Sequence, residues 1–207
     1  MAEKLMEKSC IEFADALAAK VSVPGGGGAA AYVGALGVAL GNMTANFTTG
    51  KKKYAEYEED IQRILAEGDV IRAKLIDLVF DDAEAFEPLS KAYGIPKEDP
   101  TRDQVLEEAT VNALNAPMEM MRQIAKAIEL LEELEVKGSK MLISDVACGA
   151  VMSAAAMRAA ALNVFINTKS LADRDLAAKL EAEADELLAF VPRAKAVADN
   201  ITDYIRG

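Results

Sequence analysis

The stretch SVPGGGGAAAYVGALGVALGN, residues 22–42, places four consecutive glycines between a proline and a run of small apolar residues. Consecutive glycines cost backbone entropy on folding, so a folded domain keeps them only in a free linker or where the backbone follows an unusual path or approaches another group closely. Apolar residues flank the glycines on both sides, which disfavours a free linker. The stretch therefore predicts a tight turn that leads directly into a helix.

The residues after the turn have the pattern of a closely packed helix. Gly34, Gly37 and Gly41 recur every three or four positions among alanines. This spacing lets another backbone approach closely, either within the fold or across a dimer. Because few aromatic residues are available to complete a core, the pattern favours oligomerisation, and we expect a homodimer.

The rest of the chain has helical periodicity and no convincing strand. Alanine, leucine, glutamate and lysine dominate, and apolar residues recur every three or four positions. The sequence therefore predicts an all-α fold, in which residues 1–207 form one domain, a bundle of about six to seven helices. The predicted helices span about 2–19, 28–48, 55–92, 101–115, 117–136, 144–167 and 171–205. Pro117 either kinks a helix or begins the next one, and Pro192 is a site for a bend in the last helix.

The charge and the histidine content exclude several classes of function. The 207 residues carry a net charge of -11, which argues against nucleic acid or an anionic membrane as a general partner. The sequence contains no histidine. Catalytic triads with histidine, histidine general bases and histidine metal ligands are therefore excluded, and Asp, Glu, Lys, Tyr and Cys remain for proton transfer.

The cysteines and the apolar stretches indicate a cytoplasmic protein. Cys10 and Cys148 form no CxxC motif, which fits a reducing compartment and predicts neither a disulfide framework nor a zinc site. The charged start of the chain lacks the apolar core of a signal peptide. Of two alanine-rich stretches, 29–41 is too short to span a membrane and 146–166 contains Arg158 and Asn163. We expect both to be buried helices.

The glycine turn is the first candidate site. A glycine-rich loop before a helix can bind anions through exposed N–H groups and the positive end of the helix dipole. The loop is not a Walker motif, because no Lys-Ser/Thr pair follows it, and it is not a Rossmann motif, because no strand precedes it. The alternative is a turn that only lets two helices pack closely.

Asp82, in the sequence FDDAEAF at residues 80–86, is the second candidate. A helical projection places it on an apolar stripe with Leu75, Leu78, Phe86 and Leu89. A carboxylate on a buried stripe must be paired, hydrogen-bonded or protonated, and burial should raise its pKa. Asp82 is therefore the candidate for acid-base catalysis. The alternative is an internal salt bridge or a hydrogen bond to a helix end.

Further polar residues occur on the helix at 144–167 and in a lysine cluster. Asp145 and Asn163 lie on the same side of that helix but are 18 residues apart, or about 27 Å, so they cannot contact the same reacting atom within one subunit. Asp145 is alternatively a first-turn cap. Asn163 and Asn167 are alternatively buried amides that join adjacent segments. The lysines of GKKKY, residues 50–54, are either a solvated turn or a site for the negative end of a ligand.

Four segments together resemble the cyclodeaminase/cyclohydrolase family. They are SVPGGGGAAAYVGALGVALGNMTANFTTGKKKY, DDAEAF, LISDVACGA and ALNVFIN, and the match extends from about residue 5 to about residue 205. The resemblance implies an all-helical, dimeric enzyme that acts on one-carbon units of tetrahydrofolate. It implies either a methenyltetrahydrofolate cyclohydrolase or a formiminotetrahydrofolate cyclodeaminase. The alternative from another class is a helical assembly protein without catalytic activity.

The resemblance also implies roles for the candidate residues. Asp82 is the expected acid-base group, with Asp145 as the second catalytic candidate. The remaining candidates are expected to bind substrate: Pro24, Gly25, Gly26, Gly27, Gly28, Lys51, Lys52, Lys53, Asn163 and Asn167. The glycine loop would shape the pterin pocket and the lysines would meet the glutamate tail, with no metal and no cofactor beyond the folate. Relatives commonly have three glycines followed by serine, whereas this chain has a fourth glycine followed by alanine, so a hydroxyl contact is absent.

Overall fold

A computed structural model describes residues 5–207, which form seven α-helices, three short 3₁₀ helices and no β-strand. The predicted all-α fold is thus confirmed. The α-helices are α1 (Cys10–Ala18), α2 (Gly26–Asn46), α3 (Glu58–Tyr93), α4 (Arg102–Lys137), α5 (Ile143–Thr168), α6 (Arg174–Leu188) and α7 (Phe190–Arg206). The 3₁₀ helices are Leu5–Glu7, Lys52–Tyr57 and Lys140–Leu142.

The first predicted helix is shorter than expected. Of its predicted span, residues 2–4 lie outside the described part of the chain. The α-helix begins only at Cys10, because Ser9 caps it: the Glu12 N–H donates to Ser9 Oγ at 3.2 Å, and the Ser9 N–H donates to the Glu12 carboxylate at 2.8 Å. This reciprocal pair satisfies two backbone donors and fixes the start of α1.

The predicted boundary at Pro117 is wrong, because α4 continues through this residue. A proline inside a helix removes one backbone hydrogen bond and crowds the preceding turn. Pro117 is itself buried, and α4 also buries Leu114 before it and Met121 and Ile124 after it almost completely. Packing on both sides of the proline therefore holds the helix in one piece.

The last predicted helix is also wrong, because α6 and α7 are separate helices that meet at Ala189. The interruption precedes Pro192, which occupies the third position of α7. The first turn of a helix has no internal acceptor for its N–H groups, so a proline is tolerated there. Pro192 consequently lies near the beginning of a helix and does not bend a longer one.

The glycines of α2 are used within the fold. A Cβ on Gly34 would lie 3.2 Å from the Ile124 side chain of α4, and one on Gly37 would lie 2.7 Å from Ser153 Oγ of α5. A Cβ on Gly149 of α5 would in turn lie 2.8 Å from the Gly37 carbonyl oxygen. The small residues therefore allow α2 to pack closely on α4 and α5, and they do not form a dimer surface.

Helices α2 and α5 run antiparallel through the centre of the bundle. The described residues contain two helical segments long and apolar enough to cross a membrane, Gly26–Asn46 and Lys140–Thr168, and they include these two core helices. Both pack on α4, so their outer sides lie on the same face of the molecule. This α2/α5 face contains the exposed residues Leu36, Met43, Phe47, Cys148, Val151, Ala155, Arg158, Leu162 and Ile166.

Candidate functional site

The N-terminus of α2 meets α3 at Asp82. A Cβ added to Gly27 would lie only 2.6 Å from Asp82 Cγ, so a larger residue at this position would displace the carboxylate. The N-cap residue Gly25 supplies no side-chain acceptor to the first turn of α2. Asp82 approaches that turn from α3, and the Gly28 N–H lies close enough to influence the carboxylate. The glycine loop and Asp82 therefore form one unit.

Burial changes the acid-base properties of Asp82. It raises the pKa of the carboxyl from 3.8 to about 6, although the Gly28 N–H partly offsets this effect by favouring the ionised form. No lysine or arginine in residues 5–207 forms an ion pair with Asp82, whereas the neighbouring Asp81 pairs with Lys74 at 3.2 Å. The predicted rise in pKa is confirmed. A carboxyl with this pKa can accept and return a proton near neutral pH.

A cavity of about 200 Å³ opens beside Asp82. The glycine loop forms one wall through Gly25, Gly26 and Gly27, and Asn163 and Asn167 of α5 form another. Pro24 and Gly28 lie behind the wall: a Cβ on Gly28 would contact the side chains of both Pro24 and Val79. The structure therefore places six of the predicted site residues around one cavity, with two more supporting the loop.

The amide of Asn163 presents an acceptor near the loop. Its Nδ2 donates to the Ala159 carbonyl at 2.8 Å, so the donor is used within α5. A Cβ on Gly26 would lie 3.8 Å from Asn163 Oδ1. This placement leaves Oδ1 available to a donor in the cavity. The alternative interpretation of Asn163 as an amide joining two segments is not supported by its hydrogen bond, which stays within its own helix.

Five residues that line the cavity were not among the predicted site residues: Ser22, Val23, Phe86, Ala113 and Ile166. Phe86 lies one helical turn after Asp82, and its place on the apolar stripe made it look like a core residue. Ile166 lies between the two asparagines in sequence and is 64% exposed. Phe86 follows Asp82 by one helical turn, and this spacing could have indicated it as a site residue. Nothing in the sequence distinguishes Ile166 from a buried residue.

The lysines and Asp145 lie at the opposite end of the bundle. The 21 residues of α2 extend about 31 Å from the glycine loop, and the lysines follow the far end. Asp145 is in the first turn of α5, which begins at that same end. Two contacts hold this end together: the Ser139 N–H donates to Thr48 Oγ1 at 2.8 Å, and the Lys140 N–H donates to the Tyr54 hydroxyl at 3.0 Å. Within one chain, these candidates do not reach the Asp82 cavity.

Two lysines of the cluster lie beside aromatic rings, while Lys52 and Lys53 are exposed to solvent. The ammonium group of Lys51 lies 5.9 Å from the centre of the Phe47 ring, and that of Lys53 lies 5.5 Å from the centre of the Tyr54 ring. Tyr54 is buried and belongs to the 3₁₀ helix that joins α2 to α3. Cation–π contacts of this kind attract the ammonium groups toward the rings, by about 0.5–1 kcal/mol at exposed sites.

A larger groove of about 660 Å³ lies elsewhere, between α3 and α4. Its charged residues pair with each other, for example Arg63 with Glu133 at 2.6 Å. None of the groove's carboxylates or lysines combines burial with an unpaired charge as Asp82 does. The smaller cavity is therefore the better candidate for chemistry.

Comparisons with known proteins identify the family of this chain. The family profile described as formiminotransferase-cyclodeaminase matches residues 9–186. A methenyltetrahydrofolate cyclohydrolase of Methylorubrum extorquens is 40% identical over 181 residues, which cover 86% of this chain and 87% of that protein. A formimidoyltransferase-cyclodeaminase of Sus scrofa is 28% identical, and the chain matches only 35% of its length. A solved formiminotetrahydrofolate cyclodeaminase of Thermotoga maritima has a TM-score of 0.84 and 33% identity, with 96% of this chain and 99% of that chain covered.

Proposed function

The chain belongs to the formiminotransferase-cyclodeaminase family, and we propose that it is a methenyltetrahydrofolate cyclohydrolase. Such an enzyme interconverts 5,10-methenyl- and 10-formyltetrahydrofolate. The similarity to the Methylorubrum extorquens cyclohydrolase extends over most of both chains. The observation that carries the proposal is the Asp82 carboxyl, which is half-buried beside an open cavity and has a pKa of about 6.

Asp82 supplies the proton transfers that this reaction requires. Water adds to the cationic carbon between nitrogens 5 and 10 of the folate, and Asp82 accepts a proton from it. Asp82 returns this proton to nitrogen 5 as the bond from carbon to nitrogen 5 breaks. The hydroxyl proton leaves to solvent as the formyl C=O forms. One water is consumed and one proton is released, so the chemistry calls for no metal and no cofactor beyond the folate.

The loop and the asparagines position the substrate. Gly25 and Gly26 would leave room for the pterin ring, because a Cβ at Gly25 meets no atom within 4 Å and one at Gly26 meets only Asn163. The Asn163 amide oxygen can accept a hydrogen bond from an N–H group of the pterin. Asn167 lies one helical turn further along the same wall. Phe86 supplies an apolar surface on which the ring can pack.

A formiminotetrahydrofolate cyclodeaminase is the second candidate function. The similarity of the fold to the Thermotoga maritima cyclodeaminase favours it. In that reaction nitrogen 10 attacks the formimino carbon, Asp82 takes the proton from nitrogen 10, and the leaving ammonia is protonated in turn. The same carboxyl could therefore serve both reactions.

Assays with both folates test the proposal. Purified protein should accelerate hydrolysis of 5,10-methenyltetrahydrofolate more than ammonia release from 5-formiminotetrahydrofolate. The Asp82→Asn variant should lower turnover by about a hundredfold or more while folate affinity changes little. Ammonia release as the faster reaction would favour the cyclodeaminase. Absence of both activities, with no folate binding by calorimetry, would instead indicate an assembly protein.

We also propose that the protein is a cytoplasmic homodimer with no nucleic-acid or membrane partner, and that the α2/α5 face is its interface. Val151 is 57% exposed and Leu162 is 67% exposed on a face whose only charged exposed residue along α5 is Arg158. Two adjacent helices about 30 Å long offer roughly 600 Å² per chain, which is the lower end for a stable interface. Light scattering should give the mass of a dimer at micromolar concentration. A stable and active monomer would refute this arrangement.

A further inference from the structure

The cavity in one chain is too small for a whole folate. Its volume of about 200 Å³ is below the ~300–1,000 Å³ typical of pockets that enclose drug-sized ligands. It can hold the pterin ring and the one-carbon unit, so the aminobenzoyl-glutamate end must lie outside. The cavity opens beside Ile166, which belongs to the exposed α2/α5 face. The remainder of the substrate therefore leaves the cavity along the proposed dimer interface.

We infer that a second copy of the chain completes the site, with the partner subunit's Lys51, Lys52 and Lys53 binding the glutamate carboxylates of the folate. The inference rests on the proposed function. A two-fold axis perpendicular to α2 and α5 would bring the glycine-loop end of each chain next to the lysine end of its partner. Folate would then lie across two chains, with its reacting end at Asp82 and its anionic end at the lysines.

Sequence distances along α2 support this geometry. Gly37 marks the point where α2 crosses α5. Gly26, the first residue of α2, lies at the cavity 11 residues before Gly37, and Asn46, the last residue of α2 before the lysine segment, lies nine residues after it, so both ends of α2 are roughly 15 Å from the crossing. A perpendicular two-fold axis at the crossing exchanges these two positions between the chains. The partner's lysines are thereby brought to the mouth of the cavity.

The charges on α5 select the perpendicular axis. Neither Asp145 nor Arg158 forms an ion pair with any other residue in the described range 5–207. Asp145 precedes Val151 by six residues and Arg158 follows it by seven, so an antiparallel α5 pair centred near Val151 sets Arg158 against the partner's Asp145. A two-fold axis parallel to the helices would instead place both lysine clusters together, where like charges repel.

The arrangement also explains why the lysines lie about 30 Å from Asp82 within one chain. The protein has a net charge of -11, so a cluster of three lysines is unusual in it. Such a cluster would attract the anionic end of a substrate. The rings of Phe47 and Tyr54 lie beside two of the three ammonium groups. The lysines should therefore affect the Michaelis constant and not the chemical step.

Mixed dimers test whether the lysines act across the interface. One chain carries Asp82→Asn and the other carries Lys51→Ala, Lys52→Ala and Lys53→Ala, and two affinity tags isolate the heterodimer. One of its two sites then combines an intact Asp82 with intact lysines from the partner. We expect half the wild-type turnover per dimer, with the wild-type Michaelis constant for a polyglutamylated folate. The triple-alanine homodimer should show a Michaelis constant raised several-fold, and less so at high salt.

The outcomes separate this inference from the proposed function. A heterodimer that keeps the raised Michaelis constant of the triple variant would show that the lysines act within their own chain, and would overturn the inference. A triple-alanine homodimer with an unchanged Michaelis constant for the polyglutamylated folate would overturn the inference as well. Wild-type protein that turns over neither folate would remove the proposed function itself. Lys126→Ala, an exposed change in the α3/α4 groove, is the matched control and should leave all constants unchanged.

Discussion

The ionised form of Asp82 should destabilise the folded protein at neutral pH. Burial raises its pKa from 3.8 to about 6, so the folded state holds this proton more tightly than the unfolded chain does. The folded state therefore binds more protons between about pH 4 and pH 6, and the free energy of unfolding falls as pH rises through this window. A shift of about two pKa units corresponds to about 3 kcal/mol, lost in full above about pH 6 and regained below about pH 4.

The Asp82→Asn variant removes this cost because asparagine does not ionise. Its volume is nearly the same, and its amide oxygen can still face the Gly28 N–H. We expect the variant to be more stable than wild type at neutral pH by about 1–3 kcal/mol, allowing for the weaker interaction with Gly28. For a chain of 207 residues this corresponds to a rise in Tm of roughly 2–10 °C. Turnover should fall by about a hundredfold or more in the same preparation.

Urea unfolding followed by circular dichroism, at several values between about pH 4 and pH 7, measures the effect. The stability difference between variant and wild type should vanish near pH 4 and reach its plateau above about pH 6. Asp81→Asn is the control, because Asp81 forms a half-exposed pair with Lys74 and its loss should change stability by under about 1 kcal/mol. A variant that is less stable than wild type at neutral pH and keeps normal turnover would refute the reasoning and make Asp82 a structural residue.

Gly27→Ala should lower turnover by about tenfold or more, because its Cβ would lie 2.6 Å from Asp82 Cγ, whereas Lys126→Ala, an exposed change in the α3/α4 groove, should retain activity. Equal activities of these two variants would contradict the loop geometry. The kcat/KM for hydrolysis should rise with an apparent pKa of about 6 as Asp82 ionises, and a wild-type pH profile that is flat across this range would exclude it as the base. Gly37→Ala should reduce the free energy of unfolding by about 1–3 kcal/mol, because its Cβ would approach Ser153 Oγ to 2.7 Å, and an unchanged urea midpoint would show that the crossing of α2 and α5 can expand.

Local patterns were sufficient for the helices and for one catalytic candidate. Apolar periodicity located the interior of every long helix, since each must bury one face. The same rule identified Asp82, because a charged residue on an apolar stripe is visible without knowing what it contacts. The predictions at Pro117 and Pro192 were wrong because a local pattern does not show how a proline is packed. Pro117 is held inside α4 by burial on both sides, and Pro192 is accommodated by the first turn of α7. The burial of Pro117 depends on residues distant in the chain, whereas the outcome at Pro192 depends on where α7 begins.

The sequence by itself determined the all-α fold, the glycine turn and the unusual position of Asp82, because each follows from residues that are neighbours along one segment. Only the tertiary structure decided that Gly27 adjoins Asp82, that the glycines of α2 face α4 and α5, and that the lysines and Asp145 lie at the other end of the bundle. These relations depend on the antiparallel packing of α2 and α5, which sets which ends of the two helices meet. Periodicity shows which side of a helix is buried. It does not show which other helix packs against that side, because this depends on the packing of the whole chain.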